Sequence, residues 1–403
     1  NGPTRTMNDP VQRRIVFGVT GGIAAFKAAE LLRLLTGAGA TVGVVMTEAA
    51  TRFITPVTMQ ALSGHPVFTD LWDDRVGSGM AHIDISRDAD LMVVAPASAD
   101  FLAKLAHGSA DDLLSTLCLA RDCPLMVAPA MNRQMWEHPA TQRNVARLRA
   151  DGVIILGPDS GAQACGETGM GRMSEPAALS EQILGWFEPK VLDGVRLLLT
   201  AGPTFERIDA VRGITNLSSG RMGYAIARAA RDAGAHVTLV SGPVAQAVPP
   251  GVAIENVVSA QDMLIAVERN LADCDIFVGV AAVADYTPLH PQEQKLKKDA
   301  RILGIELAPT VDILANVASR ANPPFCVGFA AESERLDEFA EAKRRRKNLP
   351  LLAANLAQTS IGTETSELVL FDDHGRHVLP HAPKSEQARL LVRHIAQLYS
   401  ASR

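Results

Sequence analysis

The sequence predicts an α/β protein made of two doubly wound domains. Its 403 residues exceed the usual size of a single core. Short, continuously apolar runs alternate with amphipathic helical patterns, which favours parallel sheets covered on both faces. The alternation starts again at Arg196–Thr200. This strand ends in a threonine followed by a small residue and a glycine, and the same three kinds of residue follow Arg14–Val19. We therefore expect two Rossmann-like domains in tandem.

The first array of predicted elements precedes residue 188. Its strands are expected at Arg14–Val19, Thr41–Met46, Leu91–Ala95, Leu125–Ala128 and Val153–Leu156. Its helices are expected at Ala24–Thr36, Thr55–Ser63, Asp112–Ala120, Thr141–Ala150 and Pro176–Phe187. Glu188–Gly194 has the composition of a linker. The predicted domains are residues 13–189 and 190–403, with residues 1–12 a tag or disordered N-terminus.

The second array repeats the pattern. Its strands are expected at Arg196–Thr200, His236–Val240, Ile254–Val258, Ile276–Val280, Phe325–Phe329, Leu351–Ala354 and Glu367–Asp372. Its helices are expected at Met222–Ala233, Ala260–Leu271, Asp312–Ser319, Glu334–Lys347 and Lys384–Ser400.

Composition argues against several function classes. A net charge of −5 gives no sign of a nucleic-acid surface. No apolar run is long enough to cross a membrane, and the first residues lack a signal-peptide pattern. The cysteines are scattered and odd in number: Cys118, Cys123, Cys165, Cys274 and Cys326. This pattern predicts a reduced, cytoplasmic protein without a zinc site or disulfide framework.

A glycine turn after the first strand predicts a phosphate site. Gly21, Gly22 and Ile23 lie at a strand–helix junction, where the backbone can approach a phosphate and a helix offers free N–H groups. Thr47 and Ser98 follow neighbouring strands, so their hydroxyls are either further phosphate donors or helix caps.

Three other residues of the first domain are candidates for chemistry. Asn132 lies in Pro129–Trp136, beyond a strand end, where its amide can orient an anion. His82 is either a general base or an ordinary structural histidine. Cys165 lies in the glycine-rich segment Gly157–Met173, which reads as a mobile lid or a plain surface loop.

The second domain carries further anion-binding signals. Asn216–Gly223 precedes a helix and resembles a phosphate nest, with Arg212 nearby. Asp285 follows a strand. Lys295 opens a short basic run, and Lys343–Asn348 is either a polar helix end or a triphosphate site.

The first-domain motifs resemble the flavin-dependent cysteine decarboxylases. The resemblance rests on Gly21–Lys27, His82, Pro129–Trp136 and Ala164–Gly166. It implies a flavoprotein fold and FMN bound between the subunits of a trimer, with Gly21, Gly22, Ile23, Thr47 and Ser98 at the cofactor. It also implies that His82 is the base, that Asn132 holds the substrate carboxylate and that Cys165 donates a proton.

The second-domain motifs resemble phosphopantothenate–cysteine ligase. The resemblance implies that CTP, with Mg²⁺, activates 4′-phosphopantothenate as an acyl-cytidylate, which cysteine then attacks. Asn216 and Lys295 would act in catalysis, and Arg212 would lie by the substrate. The implied nucleotide contacts, besides Lys295, are Gly279, Val280, Ala281, Asp285, Val311, Asp312, Ile313, Leu314, Phe329, Lys343 and Lys347. The metal ligands are not identified.

Two loops depart from the ligase pattern. The family often has prolines in the segments that correspond to Arg207–Ala210 and Thr310–Val311, and this sequence lacks them. Fewer prolines leave a loop less restricted, so the position of Val311–Leu314 beside the nucleotide depends on the fold.

Together, the two matches resemble the bifunctional coenzyme A biosynthesis proteins of bacteria. The implied partners are small molecules, and the implied assembly is a dodecamer built from trimers of the first domain and dimers of the second. A non-catalytic flavoprotein partner is the alternative. A nicotinamide dehydrogenase is disfavoured, because no G-x-G-x-x-G turn precedes a correctly spaced acidic residue.

Overall fold

The computed structural model describes residues 13–72, 88–162, 166–297, 304–332, 336–356 and 365–403. The chain divides into two compact units, Asn1–Phe187 and Glu188–Arg403. The division falls at the start of the predicted linker. No helix in the described ranges is long and apolar enough to cross a membrane.

The first unit is built on a six-stranded parallel sheet. Its strands are β1 (Arg14–Val19), β2 (Thr41–Met46), β3 (Val67–Phe68), β4 (Leu91–Ala97), β5 (Leu125–Pro129) and β6 (Ile154–Ile155). Their order is β3-β2-β1-β4-β5-β6, and all pairs are parallel. The chain reverses its direction of winding between β1 and β4, so a ligand crevice is expected beyond the carboxyl ends of these two strands.

Helices cover both faces of this sheet. They are Ala25–Gly37, Glu48–Thr51, Pro56–Ser63, Ala99–His107, Leu113–Ala120, Arg133–Glu137, Pro139–Ala150 and Pro176–Trp186. Alternate residues of β1 enter two separate clusters: Phe17 packs with Leu31 of the first helix, and Val16 packs with Leu102 on the opposite face. Each face is therefore a core of its own, and truncating a buried leucine such as Leu31 to alanine should cost about 2–5 kcal/mol.

A hairpin outside the sheet completes the first unit. It pairs β7 (Asp159–Ala162) with β8 (Thr168–Arg172) in antiparallel fashion. This segment was expected to be an irregular loop, either a mobile lid or a plain surface loop. Its glycines hide the strand pattern, and the pairing of the two arms orders the backbone.

The second unit has fourteen strands among its described residues, and eight of them form a large sheet that repeats the strand order of the first unit. Its strands are β9 (Arg196–Ala201), β10 (Phe205–Arg207), β11 (Gly213–Thr215), β12 (His236–Ser241), β13 (Ala253–Asn256), β14 (Ile276–Gly279), β15 (Tyr286–Pro288), β16 (Leu307–Pro309), β17 (Phe325–Glu332), β18 (Leu351–Leu356), β19 (Thr365–Ser366), β20 (Val369–Asp372), β21 (Gly375–Val378) and β22 (Ala382–Pro383). The large sheet runs β13-β12-β9-β14-β17-β18-β20-β21. Its first six strands are parallel, and β20 and β21 add an antiparallel hairpin at one edge.

Five helices of the described residues pack on this sheet: Arg221–Asp232, Ala260–Asn270, Ile313–Ala318, Leu336–Arg346 and Lys384–Ala401. On one face, Tyr224 and Leu391 share a cluster with Leu197 and Leu199. On the other face, Met263 and Leu314 pack with Leu198. The alternation along β9 again feeds two cores, so the predicted doubly wound α/β class is confirmed for both units.

Several element predictions were wrong in detail. The helix Ala99–His107 was not predicted, although Ser98 caps it and Gly108 ends it in the left-handed conformation. Only Ile154–Ile155 of the predicted strand Val153–Leu156 pairs with β5. The predicted strand Ile254–Val258 is shifted to Ala253–Asn256, and the carbonyl of Val258 instead accepts from the N–H of Phe205 at 2.8 Å.

Candidate active sites

A threonine bridges the two strand ends at the crevice of the first unit. The hydroxyl of Thr20 donates to the carbonyl oxygen of Pro96 at 2.8 Å and accepts from the N–H of Ser98 at 2.9 Å. Thr20 is buried, so both hydrogen bonds are shielded from water. They fix the separation between the end of β1 and the end of β4.

The glycine turn follows directly. A Cβ added to Gly21 would lie 2.6 Å from the Cβ of Ala49, so this position has no room for a side chain. A Cβ on Gly22 would meet nothing within 4 Å, and Ile23 is exposed. Among the described residues, the N–H groups of Gly21, Gly22 and Ile23 reach no backbone acceptor. The turn is thus open on one side and presents donors to it, as a phosphate site requires.

Thr47 and Ser98 are helix caps in the structure. The hydroxyl oxygen of Thr47 accepts from the N–H of Ala50 at 3.2 Å, and that of Ser98 accepts from the N–H of Phe101 at 3.2 Å. Capping uses the oxygen lone pairs and leaves each hydroxyl hydrogen able to donate. Both readings of these two residues are therefore compatible with the geometry.

Asn132 is held by the helix that follows it. Its Oδ1 accepts from the N–H of Met135 at 2.9 Å, which makes Asn132 the N-cap of the helix Arg133–Glu137. The residue is partly buried and directly follows Met131, whose N–H donates to the carbonyl of Gly171 at 2.9 Å. The cap fixes the side chain so that its amide nitrogen is the group left to donate.

The hairpin β7–β8 packs against the Asn132 segment. Gly171 has a φ of +121°, and a Cβ there would lie 2.6 Å from the carbonyl oxygen of Met131. Gln134 donates to Glu167 at 2.8 Å from the far side. This contact holds Glu167, which directly precedes β8, against the helix that Asn132 caps. Two of the predicted chemical residues, Cys165 and His82, lie outside the described residues.

A buried lysine supports the end of this hairpin. The Nζ of Lys27 donates to the carbonyl of Met173 at 3.1 Å and to Glu175 at 3.0 Å. The hydrogen bond from Lys27 lowers the pKa of Glu175 more than partial burial raises it. This role of Lys27 was not predicted, although a lysine on an otherwise apolar helix face is a visible signal in the sequence.

The second unit contains a cleft of about 730 Å³ beyond the carboxyl ends of its strands. It brings together all predicted nucleotide and catalytic residues of this unit except Arg212 and Lys295. Those that line it are Asn216, Gly279, Val280, Ala281, Asp285, Val311, Asp312, Ile313, Leu314, Phe329, Lys343 and Lys347. Val311–Leu314 thus borders the cleft without the prolines that are common in the family.

One wall of the cleft is tied to the loop after β9. The hydroxyl of Thr204 accepts from the N–H of Ala284 at 3.0 Å, and that of Thr200 accepts from the N–H of Ala281 at 3.3 Å. The Nδ2 of Asn216 donates to the carbonyl of Ala282 at 2.9 Å. These bonds join the end of β9 and the chain that follows it to the segment after the neighbouring strand β14, as Thr20 joins the ends of β1 and β4 in the first unit.

The two predicted phosphate lysines lie on the opposite wall with protein partners. Lys347 is paired with Asp312 at 2.5 Å, and Lys343 donates to the carbonyl of Phe329 at 3.2 Å. Burial would raise the pKa of Asp312, but the hydrogen bonds from Lys347 and from the N–H of Ala315 outweigh it, so the pKa is lowered. A charged nucleotide phosphate would compete with Asp312 for Lys347.

Arg212 and Lys295 belong to a separate arrangement beside the cleft. Arg212 donates through Nε and Nη2 to Oδ2 of buried Asp209, at 2.9 and 2.5 Å. It also donates to the carbonyl of Leu296 at 2.7 Å, and the N–H of Leu296 donates back to Asp209 at 3.1 Å. Lys295 is exposed on the loop that these bonds hold.

Among the lining residues that sequence reasoning missed are Asn355 and Lys384. Lys384 begins the last helix, and Arg221 begins the helix Arg221–Asp232. Burial, and then the charge of Arg221, lowers the pKa of Lys384. Asn355 lies near the end of β18 and Lys384 begins the last helix, so only the fold brings these two residues together.

Comparisons with known proteins cover both units. Residues 3–188 match the family model described as Flavoprotein, and residues 192–399 match that of the DNA/pantothenate metabolism flavoprotein C-terminal domain. The bifunctional protein CoaBC of coenzyme A biosynthesis from Vibrio cholerae is 47% identical over 94% of this chain and 97% of its own. Its counterpart from Escherichia coli is 46% identical over 96% and 97%. A solved C-terminal domain of a CoaBC protein is 39% identical, covering 53% of this chain and 99% of its own, with a TM-score of 0.46.

The matches extend over almost the full length of the chain and of its relatives, and they include both family models. The chain therefore belongs to the family of bifunctional proteins of coenzyme A biosynthesis.

Proposed function

We propose that the chain catalyses two steps of coenzyme A biosynthesis, a ligation in the second unit and a decarboxylation in the first. It is both a CTP-dependent phosphopantothenate–cysteine ligase and a phosphopantothenoylcysteine decarboxylase. The observation that carries the assignment of sites is the cleft of the second unit, which gathers twelve predicted residues from five separate stretches of sequence. We assign the decarboxylation to residues 13–189 and the ligation to residues 190–403.

The ligase half needs a carboxylate made reactive toward an amine. CTP supplies this by forming an acyl-cytidylate with 4′-phosphopantothenate, and the amine of cysteine then displaces CMP. The cleft offers what the triphosphate requires: the nest Asn216–Gly220 at a helix start and the lysines Lys343 and Lys347. Lys295, on its exposed loop, would approach the charged intermediate, and Arg212 would hold that loop in place.

The cleft also suits Mg²⁺. Asp285 is an exposed carboxylate in the wall of the cleft, and its backbone carbonyl accepts from the N–H of Thr310 at 2.9 Å. Mg²⁺ is usually held by one or two carboxylates together with phosphates and water. Asp312 is engaged by Lys347, so Asp285 is the carboxylate that we assign to the metal. The ion would neutralise the triphosphate.

The decarboxylase half needs an electron sink, because a carboxylate beside an amide carbon has none. Bound FMN would supply this sink, because a flavin can accept two electrons and return them. The open side of the turn at Gly22, the donors of Gly21–Ile23 and the hydroxyls of Thr47 and Ser98 fit the phosphate of FMN. Asn132 would bind the departing carboxylate through its amide nitrogen.

Two roles rest on the family resemblance alone. His82 would act as the base, and Cys165, in the connection between β7 and β8, would return a proton to the product. A thiol with an ordinary pKa of about 8.5 is a suitable acid near neutral pH.

A non-catalytic flavoprotein partner is the second candidate. It would not need His82, Asn132 and Cys165 together. We further propose that the protein works in the cytoplasm, on its cysteine pattern, and that it assembles as a dodecamer from trimers of the first domain and dimers of the second. Mass measurement in solution tests the assembly.

The decisive experiment assays the purified protein for both reactions. We expect a yellow protein that releases pyrophosphate only when CTP, 4′-phosphopantothenate and cysteine are all present, and that releases CO₂ in the following step. Cys165→Ser should keep the ligase activity and lose product formation in the second step. A correctly folded protein that binds no FMN, or one that releases no pyrophosphate, would refute the corresponding half of the proposal.

A further inference from the structure

Two imidazoles and a carboxylate converge in the second unit, away from the nucleotide cleft. The Nε2 of His394 lies 2.7 Å from Oδ2 of Asp372, and the Nε2 of His377 lies 3.1 Å from the same carboxylate. The three side chains offer ligand atoms that all lie within 4.8 Å of one another. Among the described residues, no other group of His, Cys, Asp or Glu meets this description.

The fold explains why these residues meet. Asp372 pairs with Gly375 across the hairpin β20–β21, and Leu370 pairs with His377. Asp372 and His377 are therefore diagonal neighbours on one face of the hairpin. His394 reaches them from the helix Lys384–Ala401, next to the core-facing residue Ile395. Two elements that are distant in sequence thus present three ligands to one point.

We propose that Asp372, His377 and His394 form a binding site for a divalent transition metal of the Zn²⁺ class. Two imidazole nitrogens and one carboxylate oxygen are a ligand set that zinc accepts, with water in the remaining position. Mg²⁺ and Ca²⁺ prefer oxygen ligands alone, so the two histidines disfavour them. The site is separate from the Mg²⁺ that we assign to Asp285.

The distances agree with this assignment. Ligand atoms around a tetrahedral zinc with bonds of about 2.0–2.1 Å lie about 3.3 Å apart. The two observed separations between nitrogen and carboxylate oxygen, 2.7 and 3.1 Å, are within a few tenths of an ångström of that value, and all three ligand atoms lie within 4.8 Å of one another. The N–H of His374 donates to Oδ1 of Asp372 at 2.7 Å, which orients the carboxylate as outer-shell donors do at metal sites.

The surroundings allow a cation to enter. The side chain of His377 is 38% exposed, so one of the three ligands is accessible from solvent. The nearby guanidinium groups already face carboxylates, because Arg376 pairs with Asp337 at 3.0 Å and Arg344 pairs with Asp373 at 2.8 Å. The side chain of Asp372 is only 1% exposed, so the two imidazoles, rather than water, face its negative charge.

The competing explanation is a purely structural hydrogen-bond group, in which two imidazoles satisfy a buried carboxylate. The two explanations differ in one measurable property. A metal would join the hairpin β20–β21 to the last helix, so zinc would raise the thermal stability of the folded protein by binding it and not the unfolded chain. A hydrogen-bond group alone would give no saturable response to zinc.

The test uses the full chain, freed of metals with a chelator and assayed without nucleotide. We expect one Zn²⁺ per chain by elemental analysis after gel filtration, together with a rise in the melting temperature. His377→Gln keeps an amide that can donate to Asp372, and its site is 38% exposed, so the variant should fold. Loss of a direct ligand should weaken zinc binding by about 100-fold or more, since outer-shell changes alone cost 10- to 100-fold.

Matched variants locate the ion. His236→Gln removes an exposed histidine of the same unit and should leave zinc binding unchanged. Asp285→Asn should also leave it unchanged, because that residue belongs to the nucleotide cleft. The proposal is wrong if the wild-type chain shows no saturable zinc binding, or if His377→Gln binds zinc as tightly as the wild type. It is also wrong if Asp285→Asn, rather than His377→Gln, abolishes binding.

Discussion

The side-chain oxygen of Asn132 accepts a hydrogen bond from the backbone N–H of Met135, at 2.9 Å. This bond decides how the amide of Asn132 is oriented, because its oxygen is used by the helix and its nitrogen is left to donate. A donor without a formal charge suits a carboxylate that must be bound and then lost as CO₂. The same residue therefore serves as helix cap and as proposed substrate ligand.

Replacing Asn132 with aspartate separates these two roles. Asp caps helices as well as Asn does, so we expect Asn132→Asp to fold with nearly unchanged stability. Its negative charge should repel the substrate carboxylate and reduce decarboxylation by more than about 100-fold, as like charges in contact cost several kcal/mol. CO₂ release and pyrophosphate release measure the two activities, and the ligase activity should be intact.

The comparison variant is Asn132→Ala. It removes the cap as well as the amide and should cost about 1 kcal/mol of stability in addition to the lost activity. Normal decarboxylation by Asn132→Asp would show that the residue does not face the carboxylate. Loss of both activities would show that Pro129–Trp136 is mainly structural.

The glycine turn offers a second paired test. In Gly21→Ala the new Cβ would lie 2.6 Å from the Cβ of Ala49 and 3.1 Å from its backbone carbon. Such overpacking costs about 1–3 kcal/mol, so the melting temperature should fall even without flavin. In Gly22→Ala the Cβ enters open space. We expect unchanged stability of the flavin-free protein and at least tenfold weaker FMN binding, followed by flavin absorbance. Wild-type FMN affinity in Gly22→Ala would mean that the phosphate does not occupy this turn.

Asp209 positions the loop that carries Lys295. In Asp209→Asn the side-chain oxygen can still accept from the N–H groups of Val211 and Arg212, as Oδ1 now does at 2.8 Å for both. The amide nitrogen would then face the guanidinium of Arg212 and the N–H of Leu296. All three groups are hydrogen-bond donors, so no hydrogen bond could form between the amide nitrogen and the other two. Hydrogen bonds to charged groups are worth about 1.5–3 kcal/mol, so ligase turnover should fall by about 10- to 100-fold.

The decarboxylase activity of Asp209→Asn is the internal reference and should not change. Asp273→Asn is the matched control, because Asp273 pairs with Arg196 at the surface, where such pairs contribute little. Unchanged ligase turnover in Asp209→Asn would mean that the position of Lys295 does not depend on this ion pair.

Acid should weaken the helix that carries Lys343. Hydrogen bonds from Arg344, and next from Arg345, lower the pKa of Glu341 to about 2, against an ordinary value of 4.5. A carboxyl group with a lowered pKa stabilises the fold fully above its unfolded-state pKa, and this contribution is lost as the pH falls toward the folded-state value. We expect Glu341→Gln to unfold at a lower temperature than the wild type at pH 7. The difference should shrink between about pH 4.5 and pH 2.

Thermal unfolding of the full chain at several pH values measures this difference. Glu293→Gln changes an exposed glutamate of the same unit and serves as the control. A constant difference between Glu341→Gln and the wild type down to pH 2 would contradict the assignment.

The sequence predicted the parallel cores well because each buried strand carries its own local signal. Arg14–Val19 and Thr41–Met46 are strands with the predicted bounds. The three-residue strands Phe205–Arg207 and Gly213–Thr215 were missed, since so short a segment has no period to read. The glycine-rich arms of β7 and β8 were missed for a related reason: their order comes from pairing with each other.

The candidate sites divide along the same line. Residues that directly follow a strand, such as Val280 after β14, could be placed from the sequence, because parallel strands end at one edge of the sheet. Lys384 and Asn355 could not, as their place in the cleft depends on how a late helix and a late strand pack. The partners of Lys347 and Arg212 were also not predictable, because a basic run in sequence does not show which carboxylates it meets.

In each unit threonine hydroxyls join the ends of two neighbouring strands: Thr20 reaches Pro96 and Ser98, while Thr200 reaches Ala281 and Thr204 reaches Ala284. The mouth of each crevice is thereby held at its working width by the protein's own bonds. Little backbone has to be frozen when a flavin or a nucleotide arrives, so most of the ordering entropy of binding falls on the ligand. A rigid frame of this kind leaves motion to the surrounding loops, where substrates must enter and products leave.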